Sequence, residues 1–143
     1  MPGSLSKPNP QDRDGRVLIM DDDADVCMIS KGMLEFLGYD ADTALHGGEA
    51  IQKFKHRLES GCPYLAVILD LTMAGGLGGV EVLQELKQLQ PGVKTIVSSG
   101  YATPDNADKY RELGFSAILA KPYRSADMAR ALRQAIGEGG GNV

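Results

Sequence analysis

Polar side chains follow four separate apolar runs of this sequence, and together they suit the binding of a metal ion and a phosphoryl group. They are Asp21, Asp22 and Asp23 after residues 17–20, Asp70 after residues 65–69, Ser98 and Ser99 at the end of the run that begins at residue 95, and Lys121 with Pro122 after residues 117–120. In an open parallel sheet, ligands bind beyond the carboxyl ends of the strands. Four such ends can therefore meet in one site.

Asp21 and Asp22 are adjacent carboxylates at a predicted strand end. Like charges raise each other's pKa and burial adds to the cost, so a hard divalent cation would stabilise the pair. Mg²⁺ takes oxygen ligands and keeps several waters, so one or two carboxylates suffice. A helix N-cap is the alternative, which we prefer for Asp23 and Asp25. For Asp21 and Asp22 we favour metal binding, because Asp70 is also present.

Asp70 is the first charged residue after five apolar residues. A carboxylate beside a metal can attack phosphorus and form an acyl phosphate, although a strand-end cap explains a lone Asp equally well. The Ser99 hydroxyl could donate to a phosphoryl oxygen, whereas Ser98 should face the other side of the sheet. Ordinary turn chemistry is the alternative for both serines.

Lys121 precedes Pro122, and this position favours an extended backbone that aims the lysine along its strand. Its ammonium could pair with a carboxylate in the empty site and with phosphate in the filled one. The alternative is a solvated surface lysine. The Lys121–Pro122 bond is one that can adopt the cis form.

Apolar runs alternate with helical patterns between residues 16 and 136, which predicts a doubly wound α/β fold with a five-stranded parallel sheet. Predicted strands are 16–20, 40–45, 65–69, 93–98 and 117–120; predicted helices are 25–37, 48–58, 80–89, 104–113 and 125–136. In the first helix, Val26, Ile29, Met33 and Leu37 should face inward. Residues 1–15 are interpreted as a flexible leader or linker and residues 137–143 as a flexible tail.

The composition indicates an ordinary globular domain, with 43% hydrophobic and 24% charged residues among 143. A net charge of −4 without a Lys/Arg cluster argues against direct binding of nucleic acid. No apolar run approaches the roughly 18 residues of a membrane span. The two cysteines have no metal-like spacing, so we expect free thiols in a reducing compartment, the cytoplasm.

With these residues in place, the chain resembles a receiver domain of two-component response regulators. Four segments carry the resemblance: residues 17–23, 67–73, 96–101 and 119–123. It implies a flavodoxin-like fold with strand order 2-1-3-4-5. It also implies that Asp70 is the phosphoacceptor and that Asp22 and Asp70 bind Mg²⁺ or Mn²⁺ directly. Asp21 would act partly through water, and the backbone carbonyl of Thr72 would complete the protein ligands. Ser99 would be the switch hydroxyl and Lys121 the phosphate-binding lysine.

The chain also departs from the common receiver pattern. Ala74 stands where many receivers have Pro, the loop after Asp70 is one residue longer, and Ile118 replaces the usual aromatic switch residue. The glycine-rich loop with residues 98–101 and 120–123 is similar to receivers of hybrid sensor histidine kinases. The implied partners are a sensor histidine kinase or a histidine phosphotransfer domain, with phosphorylation-dependent self-association and no direct membrane contact.

Two other functions remain open at this point. An Asp-nucleophile phosphohydrolase of the haloacid-dehalogenase type would want a second carboxylate two residues after Asp70, where this chain has Thr72. A receiver-like docking module that is never phosphorylated would not need the set of Asp21, Asp22, Asp70 and Lys121. A receiver that catalyses its own phosphorylation accounts for all of them.

Overall fold

The computed structural model describes residues 15–71 and 78–137, in which strands and helices alternate. The strands are β1 (Arg16–Met20), β2 (Asp40–Ala44), β3 (Ala66–Asp70), β4 (Thr95–Ser99) and β5 (Ala117–Ala120). The helices are α1 (Ala24–Phe36), α2 (Gly47–Glu59), α3 (Gly79–Leu89), α4 (Ala107–Leu113) and α5 (Ser125–Ile136), and a 3₁₀ turn, Pro104–Asn106, precedes α4. The five strand–helix units of the prediction are therefore all present.

All strand pairs are parallel and the sheet order is β2-β1-β3-β4-β5, which confirms the predicted order 2-1-3-4-5. The central strand β3 is buried at every residue, as its unbroken apolar run predicts. Its register places Asp70 opposite Ser98, while Ser99 stands opposite Ala120. The carboxyl ends of β1, β3, β4 and β5 thus share one edge.

Each face of the sheet is covered by its own hydrophobic core. On one side the strands pack with α2, α3 and α4 around Phe54, Leu83 and Tyr110. On the other side they pack with α1 and α5 around Leu34 and Met128. Strand residues alternate between the two cores, so adjacent residues at a strand end point toward different helix layers.

The predicted inward face of α1 is wrong for Ile29, whose side chain is 59% exposed. The buried line of this helix is Cys27, Ser30 and Leu34. The apolar pattern favoured the more hydrophobic stripe, but Ser30 is buried because its hydroxyl has a partner on the loop after β5. The other elements differ from the prediction by one or two residues at their ends, and the predicted helix 104–113 divides into a 3₁₀ turn and a short α4.

Several predictions fall on residues outside the described ranges. They concern Thr72, Ala74, the glycine-rich loop up to residue 77, the leader before residue 15 and the tail after residue 137. Among the helices of residues 15–71 and 78–137, none combines the length and apolar character needed to span a bilayer.

Candidate functional site

Asp21, Asp70 and Lys121 meet at the carboxyl edge of the sheet, as the sequence predicts. The Lys121 ammonium Nζ lies 2.9 Å from Oδ2 of Asp21 and 3.3 Å from Oδ1 of Asp70. Both carboxylates are almost fully buried, whereas a quarter of the lysine side chain is exposed. The lysine is therefore an ion-pair partner within the site, and the alternative of a solvated surface lysine is wrong.

The turn between β1 and α1 holds Asp21 in place through its backbone and its side chain. Its amide N–H donates to the carbonyl of Ala44 on β2, and its Oδ1 accepts from the amide of Asp23 at 2.9 Å. Asp23 in turn accepts from the amides of Asp25 and Val26, which confirms Asp23 as the N-cap of α1. The acidic residues after β1 thus divide their roles, since Asp23 caps the helix and Asp21 faces the site.

Burial raises the pKa of Asp21 above its ordinary value, and the neighbouring charge of Asp70 raises it further, although the Lys121 and Asp23 hydrogen bonds oppose this shift. Burial lowers the pKa of Lys121, but its hydrogen bonds and charge interactions with Asp21 and Asp70 outweigh that effect, so its pKa lies above the ordinary value. The ionised Asp21 is therefore held in an environment that disfavours its charge.

Three carboxylates at this edge fit a divalent metal ion. Asp21, Asp22 and Asp70 can each supply one oxygen, and these oxygens lie within 4.8 Å of one another. Hard cations such as Mg²⁺ prefer oxygen ligands and keep waters in their shell. Asp22 is exposed, so water can reach the side of the site that it lines. The donor set therefore suits Mg²⁺ or Mn²⁺, while the predicted fourth ligand, Thr72, lies outside the described residues.

Ser98 and Ser99 are both buried at the end of β4. The Ser99 Oγ accepts a hydrogen bond from the amide of Tyr101 at 2.9 Å, which leaves its own proton free to donate. The Ser99 carbonyl accepts from the amide of Lys121 at 2.9 Å and so fixes the start of the loop that carries the lysine. Strand alternation places Ser98 on the face of α1 and α5, which is also the face of its register partner Asp70, and Ser99 on the face of α2, α3 and α4.

The sequence analysis missed two residues near this site, Ser30 and Tyr123. Their hydroxyls are hydrogen-bonded at 2.6 Å and join α1 to the loop after β5. Burial raises the pKa of Tyr123, and that pKa also responds to Asp21 and Lys121, which places the phenol within the electrostatic reach of the site. A tyrosine two residues after Lys121 was the available signal, but its partner on α1 is 93 positions away. The Lys121–Pro122 peptide bond is cis.

Comparison with known proteins agrees with this geometry. The family described as the response regulator receiver domain matches residues 17–133. Chemotaxis protein CheY of Thermotoga maritima is 28% identical over 120 residues, which cover 83% of this chain and 95% of CheY. A receiver domain protein of Clostridium thermocellum has a crystal structure that matches with a TM-score of 0.75 at 28% identity, over 88% of this chain and 97% of that one.

Transcriptional regulatory protein ZraR of Klebsiella oxytoca is 27% identical over 120 residues, which are 84% of this chain but only 26% of ZraR. The chain thus spans about a quarter of the length of ZraR and nearly all of CheY. The matched region contains the five strands, except Arg16 at the start of β1, together with Asp21, Asp22, Asp70 and Lys121. On its sequence match, its fold and its sheet order, this chain belongs to the response regulator receiver domain family of two-component signalling.

Proposed function

We propose that this domain accepts a phosphoryl group on Asp70 from the phosphohistidine of a histidine kinase or a histidine phosphotransfer domain. The observation that carries the proposal is the position of Asp70. Its buried carboxylate ends the central strand, 3.3 Å from the Lys121 ammonium and beside two further carboxylates. A nucleophile, a fixed cation and a metal-binding oxygen set are what phosphoryl transfer requires.

In the proposed reaction an Asp70 carboxylate oxygen attacks phosphorus and forms an acyl phosphate. The phosphorus–nitrogen bond of the donor breaks, and the departing imidazole keeps the electron pair and takes a proton from solvent. A divalent cation held by Asp21, Asp22 and Asp70 would supply positive charge next to the phosphoryl oxygens. Because the domain positions these groups before the donor arrives, catalysis is mainly electrostatic.

Lys121 and Ser99 would bind the transferred group. The Lys121 ammonium already lies between Asp21 and Asp70, so a phosphoryl group on Asp70 would offer it additional oxygen acceptors. Ser99 keeps a hydroxyl proton to donate while its oxygen holds the Tyr101 amide. Ser99 would contact the phosphoryl group from the end of β4, and Lys121 would contact it from the loop after β5.

Acetyl phosphate with Mg²⁺, followed by intact mass measurement, tests the proposal. We expect one phosphoryl adduct on the wild type and none on Asp70→Asn, whereas the exposed control Asp105→Asn should match the wild type. An equal adduct on Asp70→Asn would contradict the assignment. Phosphate released in many turnovers would instead indicate a phosphohydrolase, and the absence of any adduct would indicate a docking module.

We further propose that phosphorylation shifts residues 98–104 and α4 and does not depend on a ring at position 118. Two hydrogen bonds join the end of β4 to α4. The Ser99 hydroxyl accepts from the Tyr101 amide, and Asn106 at the start of α4 donates from Nδ2 to the Tyr101 carbonyl at 2.7 Å. Hydrogen exchange with and without beryllofluoride tests this. Changes confined to the neighbourhood of residue 118, with none at 98–113, would contradict it.

The wider context is also a proposal. The glycine-rich sequence 75–79 and the segments 98–101 and 120–123 support a place within a hybrid sensor histidine kinase, in the cytoplasm. ZraR, in contrast, is a transcriptional regulatory protein, and this chain matches about a quarter of its length. The sequence encoded on either side of this domain decides between these contexts: a histidine kinase domain supports the first, and a DNA-binding domain contradicts it.

A further inference from the structure

The hydroxyl pair of Ser30 and Tyr123 joins the two elements that carry opposite charges of the site. Ser30 lies on the buried face of α1 and is fully buried, and its Oγ is 2.6 Å from the Tyr123 hydroxyl. Helix α1 begins directly after the acidic residues, with Asp23 as its N-cap. Tyr123 follows Lys121 by two residues. The pair therefore connects the aspartate-bearing turn to the lysine-bearing loop at a second point.

The same face of α1 is tied to Asp21 one turn earlier. The Cys27 thiol is buried and donates to the backbone carbonyl of Asp21 at 3.3 Å. Asp21 is thus linked to α1 through Cys27, and α1 is linked to the loop after β5 through Ser30 and Tyr123. The 2.9 Å ion pair of Lys121 links the same loop back to Asp21, so these links form a closed circuit. A circuit of this kind limits how far the ammonium can move from the carboxylates.

Lys121 needs such support because a lysine side chain has four flexible methylene groups and loses considerable rotamer entropy when it is fixed. Its backbone is held on β4 by the hydrogen bond from its amide to the Ser99 carbonyl. Pro122 is exposed, so the next anchor of this loop toward α1 is Tyr123. The tyrosine hydroxyl is accordingly a direct polar contact between this loop and α1, beside the packing of its ring against the core.

Ser98 supplies a further observation on this phenol. Its Oγ is buried and has no well-aligned hydrogen bond within residues 15–71 and 78–137, and Ser98 is the register partner of Asp70. The Tyr123 hydroxyl is nevertheless close enough for Ser98 to lower its pKa. A polar group therefore stands on each side of the phenol, Ser30 on α1 and Ser98 on β4.

We propose that the Ser30–Tyr123 hydroxyl pair is a positioning element that holds the Lys121 ammonium at Asp70 for phosphoryl transfer. The inference rests on the proposed function of Asp70. Neither hydroxyl touches the phosphoryl group; both act through the lysine. Loss of the pair should lower the maximal rate of phosphorylation and leave the metal ligands, and therefore the affinity for Mg²⁺, unchanged.

The test compares the time course of phosphorylation by acetyl phosphate for the wild type and Tyr123→Phe, at saturating donor and Mg²⁺. We expect the maximal rate to fall roughly fivefold, as for the loss of one net hydrogen bond, with the half-saturating Mg²⁺ concentration unchanged. Tyr64→Phe is the matched control, because it removes a buried phenol hydrogen bond of 2.7 Å to Asp42 away from the acidic edge. Its rate should stay within about twofold of the wild type.

The route through the lysine is tested by introducing Tyr123→Phe into Lys121→Met. Because the ammonium is then absent, we expect no further fall in rate, whereas two factors that multiply would overturn the inference. A Tyr123→Phe rate equal to the wild type, or an equal fall in Tyr64→Phe, would also overturn it. If Tyr123→Phe does not fold, Ser30→Ala breaks the same pair from the helix and is judged by the same outcomes. A wild type that is never phosphorylated on Asp70 would instead contradict the proposed function.

Discussion

Replacing Asp21 by Asn should stabilise the metal-free protein at pH 7. The Lys121 ammonium is shared between two buried carboxylates, and burial together with the Asp70 charge raises the pKa of Asp21. The amide keeps an oxygen for the Asp23 hydrogen bond but loses the 2.9 Å ion pair. Removal of one partner of a buried ion pair usually destabilises a protein because the other charge is left uncompensated, whereas replacement of a whole pair can stabilise it by about 1–4 kcal/mol. Here the ammonium keeps Asp70 as its partner at 3.3 Å, so Asp21→Asn leaves one balanced pair. Because the ion pair is also lost, we expect an increase of about 1–2 kcal/mol in the free energy of unfolding.

The pH dependence of this gain follows from the direction of the pKa shift. Because the pKa of Asp21 is higher in the folded state, the folded protein binds more protons, and its stability falls as pH rises from the ordinary value of 3.8 through the raised value. The side-chain amide of the Asp21→Asn variant cannot titrate, so that loss is absent in the variant. The advantage of the variant should therefore be full above the raised pKa and disappear at pH values below 3.8.

Mg²⁺ should reverse the order of stability, because only the wild type retains the full set of carboxylate ligands. A ligand at 100 times its Kd stabilises the folded state by about 2.7 kcal/mol. Urea unfolding at pH 7, in EDTA and again in saturating Mg²⁺, measures both effects. The exposed neighbour Asp22→Asn is the control: in EDTA it should change stability by less than about 0.5 kcal/mol, yet lose the Mg²⁺ gain. A variant at position 21 that is less stable than the wild type in EDTA would refute the reasoning.

Three further outcomes follow from particular contacts. Lys121→Met leaves two buried carboxylates without their ammonium and should lower the free energy of unfolding by about 3 kcal/mol in EDTA at pH 7; urea unfolding measures this, and an unchanged value would contradict the ion-pair geometry. Gly79→Ala would place a Cβ 2.9 Å from the backbone carbonyl of Asp70, so we expect a loss of about 1–3 kcal/mol in the same assay and slower phosphorylation. Burial raises the pKa of Cys27 to about 11, so at pH 8 iodoacetamide should modify the exposed Cys62 and leave Cys27 intact in the folded protein; equal modification, read by peptide mass, would contradict the burial.

The fold was largely predictable because the spacing of apolar residues within each segment indicates whether that segment forms a helix or a strand. The β3 run, apolar at every position before Asp70, can be satisfied only by burial on both faces, and the structure shows that burial. The inward face of α1 was not predictable from its own sequence. Ile29 is more hydrophobic than Ser30, yet the serine is inside, because a tyrosine from the other end of the chain satisfies its hydroxyl.

The candidate site divides in the same way. Asp21, Asp70 and Lys121 were identified because each is the first polar residue after an apolar run, and their contacts at 2.9 and 3.3 Å confirm that they meet. The sequence could not show that one ammonium contacts both carboxylates, since that depends on the direction of side chains from separate strands. Alternation separates Ser98 from Ser99 but does not decide which hydroxyl reaches a phosphoryl group, so the role of Ser99 in binding phosphate stays a prediction.

Ile118 stands where the resemblance to receivers implies an aromatic switch residue, so we expect other contacts to transmit a signal from the site. Ile118 is partly buried against the core shared with α4 and lines a cavity of about 420 Å³ between α4 and α5. Because it is an isoleucine, it has no hydroxyl or ring to exchange between two positions. Tyr101, in contrast, is 74% exposed, while its amide is bonded to Ser99 and its carbonyl to Asn106. Movement of Ser99 toward a phosphoryl group would therefore be passed through the Tyr101 backbone to the start of α4. Since α4 has seven residues and buries only Tyr110, few contacts oppose its displacement.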